Sequence, residues 1–316
     1  MVLILRNPDW ELGRVPFKFQ FGDLVLGRAV LPLLRRNAWL DEPPLRLGEA
    51  PEPPPRLDGA DGYVVWSHPI STRLPVLRAR NDAILYMPRQ YERFSIELSG
   101  GFDRYMSHFS GKTRSSLRRK LRKFADASGG TIDFREYRTP DQITKFFPLA
   151  RKVSAKSYQE RLLGIGLPAD RAFLASALEA AAGNGVRSYL LFLAGEPVSY
   201  LYCPVEQGAV QYDRLGYDPQ WSSLSPGTVL QLLALQALFS EKRFANFDFT
   251  EGEGQHKELF STQSCLCADV YVLSRRLRPV LLARLHHAAD NLSAAAGTLL
   301  DQLNLRSRLR KLVRGT

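Results

Sequence analysis

The densest group of chemically capable side chains in this 316-residue sequence is FDFTEGEGQHK, Phe247 to Lys257. Asp248, Glu251, Glu253, His256 and Lys257 bring acid, base and cation into one short segment. Two glycines, Gly252 and Gly254, loosen its backbone. General acid–base chemistry needs titratable groups held close to a reacting atom, and the end of a strand is a good place to hold them. Histidine has the ordinary pKa nearest neutrality, and a carboxylate neighbour would fix its tautomer. The spacing leaves Glu251, Glu253 and His256 as alternative bases, with Asp248 delivered by the strand before them. A solvated polar loop is the bland alternative. Gly252-x-Gly254 is no dinucleotide fingerprint, because Lys257 stands where the third glycine would be.

Two further segments could serve such a site. In LSPGTVL (Leu224–Leu230), proline suits the first helical position and Ser225 suits the cap. Gly227 would admit a ligand close to the backbone. Free N–H groups at a helix N-terminus attract anions, so Ser225, Pro226, Gly227 and Thr228 are candidate pyrophosphate contacts; an ordinary capped helix is the competing reading. SGKTRSSLRRKLRKF (Ser110–Phe124) carries seven basic residues and no acid. Arg114, Arg118 and Arg122 share one helical face and Leu117 and Leu121 the other. Its Gly111-Lys112-Thr113 is not a phosphate-binding P-loop, since Met106 occupies the position of the required first glycine.

Elements that would position these residues follow from periodicity. Tyr63–Trp66, Ala83–Met87 and Phe94–Leu98 read as strands, Phe102–Ala127 as one helix, and Thr131–Tyr137 as a strand. Pro140 and Asp170 open two more helices. Arg187–Leu193 and Val198–Val205 flank Ala194-Gly195, a hairpin signal. Ala209–Tyr217 reads as one strand, Pro226 begins a long apolar helix, and Ala245–Thr250 and Ala268–Ser274 are strands. Leu24–Arg36 mixes leucine, valine and arginine at roughly helical spacing. A proline-rich stretch from Pro43 to Pro55 follows it and reads as a linker. This predicts a mixed α/β (α+β) fold. Residues 1–60 form an N-terminal appendage and linker, 61–274 the main domain, two similar halves being one option within it, and 275–316 a basic amphipathic helical tail.

A formal net charge of +11 favours anionic partners. The acidic Glu251–Glu253 loop, and the lack of any nucleic-acid-reading motif or aromatic stacking platform, speak against nucleic acid. Three cysteines, Cys203, Cys265 and Cys267, argue against a disulfide framework, and the C-x-C pair lacks companions for a metal site. MVLILRNPDW is too short an apolar run for a secretion signal. A cytoplasmic protein is expected. The tail, with nine Arg/Lys and two Asp from Arg275 onward, would rest on an anionic inner-membrane surface; NLRSRLRKLVR (Asn304–Arg314) alternates leucine and base as interfacial helices do.

Taken in order, KTRSSLRRKLRK, SYQERLLGIGL (Ser157–Leu167), RSYLLFLAGEPVSYLYC (Arg187–Cys203), YDRLGYDP with LSPGTVL, and FDFTEGEGQHKELF resemble the GNAT superfamily. The branch is that of the CelD-type acyltransferases, related to the Fem peptidyltransferases, and the likeness spans about Phe102 to Ser274. It is looser with the bacterial ceramide synthases, which acylate a sphingoid amine. The resemblance implies a GNAT-like mixed sheet whose central strands splay apart. Acyl-CoA would be co-substrate, with no permanently bound cofactor and no metal, and its pyrophosphate would lie over Ser225–Leu230. The family's Q/R-x-x-G-x-G/A cradle is replaced here by Leu224-Ser225-Pro226-Gly227-Thr228. A neutral amine, of a lipid or an envelope sugar, would attack the thioester directly. Lys257, Arg114 and Arg118 would hold phosphate or substrate anion, and Tyr158, Tyr212 and Tyr217 would line the substrate site. Fem-type relatives use aminoacyl-tRNA, so an aminoacyl transferase is the alternative, and a non-catalytic scaffold of the same fold is a third reading.

Overall fold

The computed structural model describes residues 10–21, 24–157, 166–252 and 254–302. They fall into two compact units, residues 1–92 with 265–316, and residues 93–264. The divisions anticipated near residues 60 and 274 fall inside the first unit.

In the first unit, β1 (Glu11–Phe21) and β2 (Leu24–Asn37) form an antiparallel hairpin. The helix expected over Leu24–Arg36 is therefore a strand. In β1, buried Val15 and Phe17 alternate with exposed Pro16 and Lys18, and in β2 Leu31 and Leu33 are fully buried. That period of two is what a sheet with one covered face requires. β2 pairs in parallel with β3 (Gly62–Pro69), which pairs antiparallel with β13 (Gln263–Ser274). β4 (Leu77–Ala79) and β5 (Ala83–Tyr86) extend the sheet from β13.

One face of this sheet packs on helix α7 (Leu277–Gln302), through Val15, Phe17, Leu31, Leu33 and Ala283. The other face is covered by the proline-rich segment, so that stretch is more than a linker. Leu45 and Ala50 pack there with Val65 and Leu85, and the Tyr63 hydroxyl donates to the Pro51 carbonyl at 2.9 Å. The strongly basic end of the tail, Asn304–Arg314, lies outside the described residues.

In the second unit the strand order is β6 (Gln90–Glu97), β12 (Asn246–Asp248), β10 (Ala209–Gln211), β9 (Glu196–Glu206), β8 (Val186–Leu193), β7 (Asp133–Tyr137). The hairpin joining β8 to β9 turns through Ala194 and Gly195, both at positive φ. Every residue of β8 is buried, because helices cover both faces. Tyr189 and Leu191 enter one core, with the apolar helix α5 (Pro226–Glu241), and Leu190 and Phe192 enter the other. The second core holds α3 (Pro140–Ser154) and α4 (Arg171–Ala182). The helix expected over Phe102–Ala127 is two, α1 (Phe102–His108) and α2 (Gly111–Ala127), the second capped by Ser110.

The strand expected over Ala209–Tyr217 also breaks in two. β10 pairs in parallel with β12, Gln211 opposite Asp248. After Tyr212 and Asp213 the chain resumes as β11 (Arg214–Tyr217), which among the described residues pairs only with β9. β12 stops at Asp248, and Phe249 N–H turns to the carbonyl of Phe94 at 3.0 Å. The parallel strands thus part at Tyr212, leaving a wedge in the middle of a mixed, open sheet.

Candidate active site

The apex of the wedge is fixed by a buried ion pair. Asp248 is fully buried, and Arg93 from β6 meets it with Nη2 2.6 Å from Oδ2 and Nε 3.2 Å from both carboxylate oxygens. The other side of the carboxylate accepts the Thr250 N–H at 2.9 Å. Asp248 is thereby engaged in setting the bend after β12, which is a structural task rather than proton transfer. Arg93 was not singled out from the sequence; its partner lies far along the chain and no local spacing signals the pair.

Lys257 ties down the loop that follows. Its Nζ donates to the carbonyls of Phe249 (2.8 Å) and Glu251 (2.6 Å). Burial lowers its pKa, against the opposing pull of Asp248 and Glu251. With two of its three protons spent on these carbonyls, Lys257 shapes the loop more than it offers a phosphate site. Glu251 is exposed, and Glu253 lies outside the described residues.

His256 stands on the short helix α6 (Gln255–Phe260). Although the residue retains solvent-exposed surface, its ring packs on Phe260 with centroids 4.8 Å apart, and lies 6.3 Å from the rings of Tyr212 and Phe249. Its Nε2 is 2.5 Å from Oε1 of Gln231. Gln231 is a fully buried polar residue inside α5, and its Nε2 has no partner among the described residues. In the tautomer that lets this amide oxygen accept, Nε2 carries the proton and Nδ1 presents a lone pair. Burial first, then the charges of Lys120 and Lys257, hold the imidazole below its ordinary pKa. It is neutral near pH 7, as a base must be.

Tyr212 sits where the strands part. Its N–H donates to the Asp248 carbonyl at 2.7 Å, and its ring packs edge-on against Phe247 and at a tilt against Phe249. Burial raises its pKa, so the phenol stays protonated and able to donate. Asp213, the next residue, also has a raised pKa, from burial and then Glu206, opposed by Arg214.

The start of α5 departs from the expected cap. Ser225 has left-handed backbone angles (φ 53°, ψ 48°), and its side chain makes no cap hydrogen bond. Pro226 occupies the first turn, and Val229 N–H returns to the Ser225 carbonyl at 3.1 Å. Gly227 is buried against β11: a Cβ there would lie 3.2 Å from Leu215 and 3.3 Å from Tyr217. Its small size serves strand–helix packing, and Tyr217 serves the same contact. Thr228 is half-buried beside it.

Helix α2 reaches this corner. Lys123 Nζ donates to the Ser223 carbonyl, 2.9 Å away in the turn before α5, and Lys120 lies close enough to act on His256. Arg114 and Arg118 line a separate groove of about 380 Å³ on the same helix with Arg119 and Arg122. The structure thus gathers Asp248, His256, Lys257 and Tyr212 around the wedge, with Ser225–Thr228 and Tyr217 along one wall. Tyr158 lies outside the described residues. Gln231 was missed, and a glutamine within the otherwise apolar run TVLQLLAL was the signal that could have found it.

This arrangement can be compared with known proteins. Residues 111–258 match the family described as acetyltransferase (GNAT) domain. No curated protein sequence matches the chain. Among solved structures, FemX aligns with a TM-score of 0.50 at 10% identity, over 86% of this chain and 90% of FemX. The C-terminal domain of a lysylphosphatidylglycerol synthetase from Agrobacterium fabrum aligns at 0.46 and 12% identity, over 73% of this chain and 72% of that one. L-PGS from Bacillus licheniformis aligns at 0.41 and 14%, over 73% of each. At such identity the FemX likeness speaks to the fold alone. The family match lies wholly within the second unit and takes in the wedge, α5 and His256: residues 111–258 are similar to a GNAT-type acetyltransferase domain.

Proposed function

We propose that this domain transfers an acyl group from acyl-CoA to an amine, with His256 as general base. The observation that carries the reading is the Gln231–His256 pair beside Tyr212, where β10 and β12 part. A thioester in the wedge would lie between a neutral imidazole and a protonated phenol. The amine nitrogen attacks the thioester carbon, and its proton passes to His256 Nδ1. The C–S bond breaks, and the thiolate takes a proton from the Tyr212 hydroxyl. The unpartnered Gln231 Nε2 is a donor suited to the carbonyl oxygen as negative charge develops there. Buried Cys203, whose pKa is raised by its burial, is unsuited to act as a nucleophile.

The N–H groups at the start of α5, with Lys123 beside them, suit the donor's pyrophosphate. The resemblance to ceramide synthases and CelD-type enzymes favours an acceptor amine on a sphingoid-like lipid or an envelope sugar. A second reading, aminoacyl-tRNA as donor, is favoured by the arginine groove of α2, because a row of guanidinium groups suits a phosphate backbone. Purified protein should be assayed with acyl-CoAs of graded chain length and a panel of amines, following free thiol. Amine-dependent CoA release that disappears in His256→Ala supports the reading. No release from any acyl-CoA, with amine-dependent deacylation of aminoacyl-tRNA instead, replaces it with the second.

A further inference from the structure

The first unit carries an apolar surface that the catalytic reading leaves unused. On α7, Leu277, Leu281, Leu285 and Leu292 are 81, 50, 53 and 66% exposed. At about 100° per residue they share an arc of about 80°, which faces away from the side that buries Pro279 and Ala283. Exposed Ala288 and Ala295 continue the stripe. Arg278 and Arg284 flank it on opposite sides, both exposed, and no acid shares the outer face of the described turns.

A second patch lies on the β1–β2 hairpin. Phe21, Leu24, Val25 and Leu26 are 42, 64, 43 and 67% exposed. Close by, Lys18 stands directly opposite Arg28, both exposed. Like charges placed across a strand pair repel, and an anionic partner would relieve that repulsion.

The two patches lie toward the same end of this unit. Near its start α7 touches the hairpin at Val30, which Arg278 reaches at 3.1 Å and which is paired with Pro16. Two turns later His286 meets the Lys18 carbonyl at 3.1 Å and packs on Phe19. The helix therefore advances toward the hairpin tip, and Leu285 and Leu292 advance with it.

We infer that the outer face of α7 and the tip of the β1–β2 hairpin dock together on an anionic lipid surface. Leucines would enter the acyl boundary while Arg278, Arg284, Lys18 and Arg28 meet headgroup phosphates. A second copy of the chain is disfavoured as occupant. Pairing two such faces of α7 would bring arginine against arginine with no acid among the described residues of those faces to offset them.

The test uses the full chain and vesicles of phosphatidylcholine, with and without phosphatidylglycerol, in a co-sedimentation assay. Binding should require the anionic lipid and weaken with salt. Leu281→Glu/Leu285→Glu and Leu24→Glu/Leu26→Glu should each abolish it, while circular dichroism and melting temperature stay unchanged. Lys18→Ala and Arg284→Ala should each lower affinity about fivefold. CoA release with a water-soluble amine should survive in all of them, so failure here is separable from failure of the catalytic reading. Equal binding to neutral vesicles, unchanged binding by both leucine variants, or a concentration-dependent dimer that only the leucine variants abolish would overturn the inference.

Discussion

His256 and Gln231 come from helices of opposite character, yet Nε2 of one lies 2.5 Å from Oε1 of the other. α6 is short and polar, while α5 is apolar and largely buried. A buried amide with an unpartnered Nε2 costs stability, so its presence calls for a use. Gln231→Leu should therefore leave thermal stability unchanged or raise it. It should lower kcat about ten- to hundredfold, less than the full general-base contribution of about 10²–10⁴. Melting curves and steady-state kinetics with their pH profile separate the two effects, since a merely structural role would lower stability and leave the pH profile in place.

The same pair predicts a pH effect on folding. The folded pKa of His256 lies below its ordinary 6.5. As pH falls through that window, the unfolded chain takes up a proton that the folded chain refuses, so stability falls. Urea unfolding of wild type and His256→Phe across pH 5 to 7 (roughly the titration range of histidine) should show the difference: the wild type loses stability relative to the variant as pH drops below 6.5.

Arg93 and Asp248 form a pair whose side chains are 7% and 1% exposed. Removing one partner strands the other as a buried charge, at a cost of about 3–5 kcal/mol. Arg93→Ala should show that loss by chemical denaturation. Because Asp248 also sets the bend at Thr250, the variant should lose activity even at temperatures where it remains folded.

Gly216 faces Tyr200 across the β11–β9 pair, and a Cβ there would overlap the tyrosine ring. Gly216→Ala should destabilise by about 1–3 kcal/mol and displace β11, the wall of the wedge that contacts Gly227. Its effect on the KM for the acyl donor should exceed that of an equally destabilising change on α4, such as Ala177→Gly.

In the first unit, burial alone would raise the pKa of Glu42. Hydrogen bonds from His68, Arg36 and the Trp39 N–H overcome it and hold the group at about 2, against an ordinary 4.5. The stability this provides is full above 4.5 and is lost as pH falls toward 2. It amounts to about 3 kcal/mol at most. Glu42→Gln should melt earlier at neutral pH, and the difference from wild type should close in acid.

What local spacing could reveal was the framework of the second unit. Asp170, Pro140, the Ala194-Gly195 turn and Pro226 each act through backbone geometry within a few residues, and each appears where spacing put it. What failed depends on partners distant in sequence. Leu24–Arg36 has leucines that fit a helix, but only pairing with β1 decides that it is a strand. Ala209–Tyr217 reads as one strand, and its break at Tyr212 comes from β12 ending while β9 continues. In the site, composition drew attention to His256 and Lys257. It could not show that Lys257 would be occupied with two carbonyls, that Arg93 would claim Asp248, or that Gln231 would reach the imidazole.

The most direct test of His256 as base is the pH dependence of kcat/KM for CoA release, measured for wild type and His256→Ala. The wild-type rate should rise with pH to a plateau, through an apparent pKa below 6.5. The variant should fold normally, lose about 10²–10⁴ at the plateau, and lose that inflection. A variant that keeps wild-type kcat/KM, or the same inflection at reduced rate, would contradict the account.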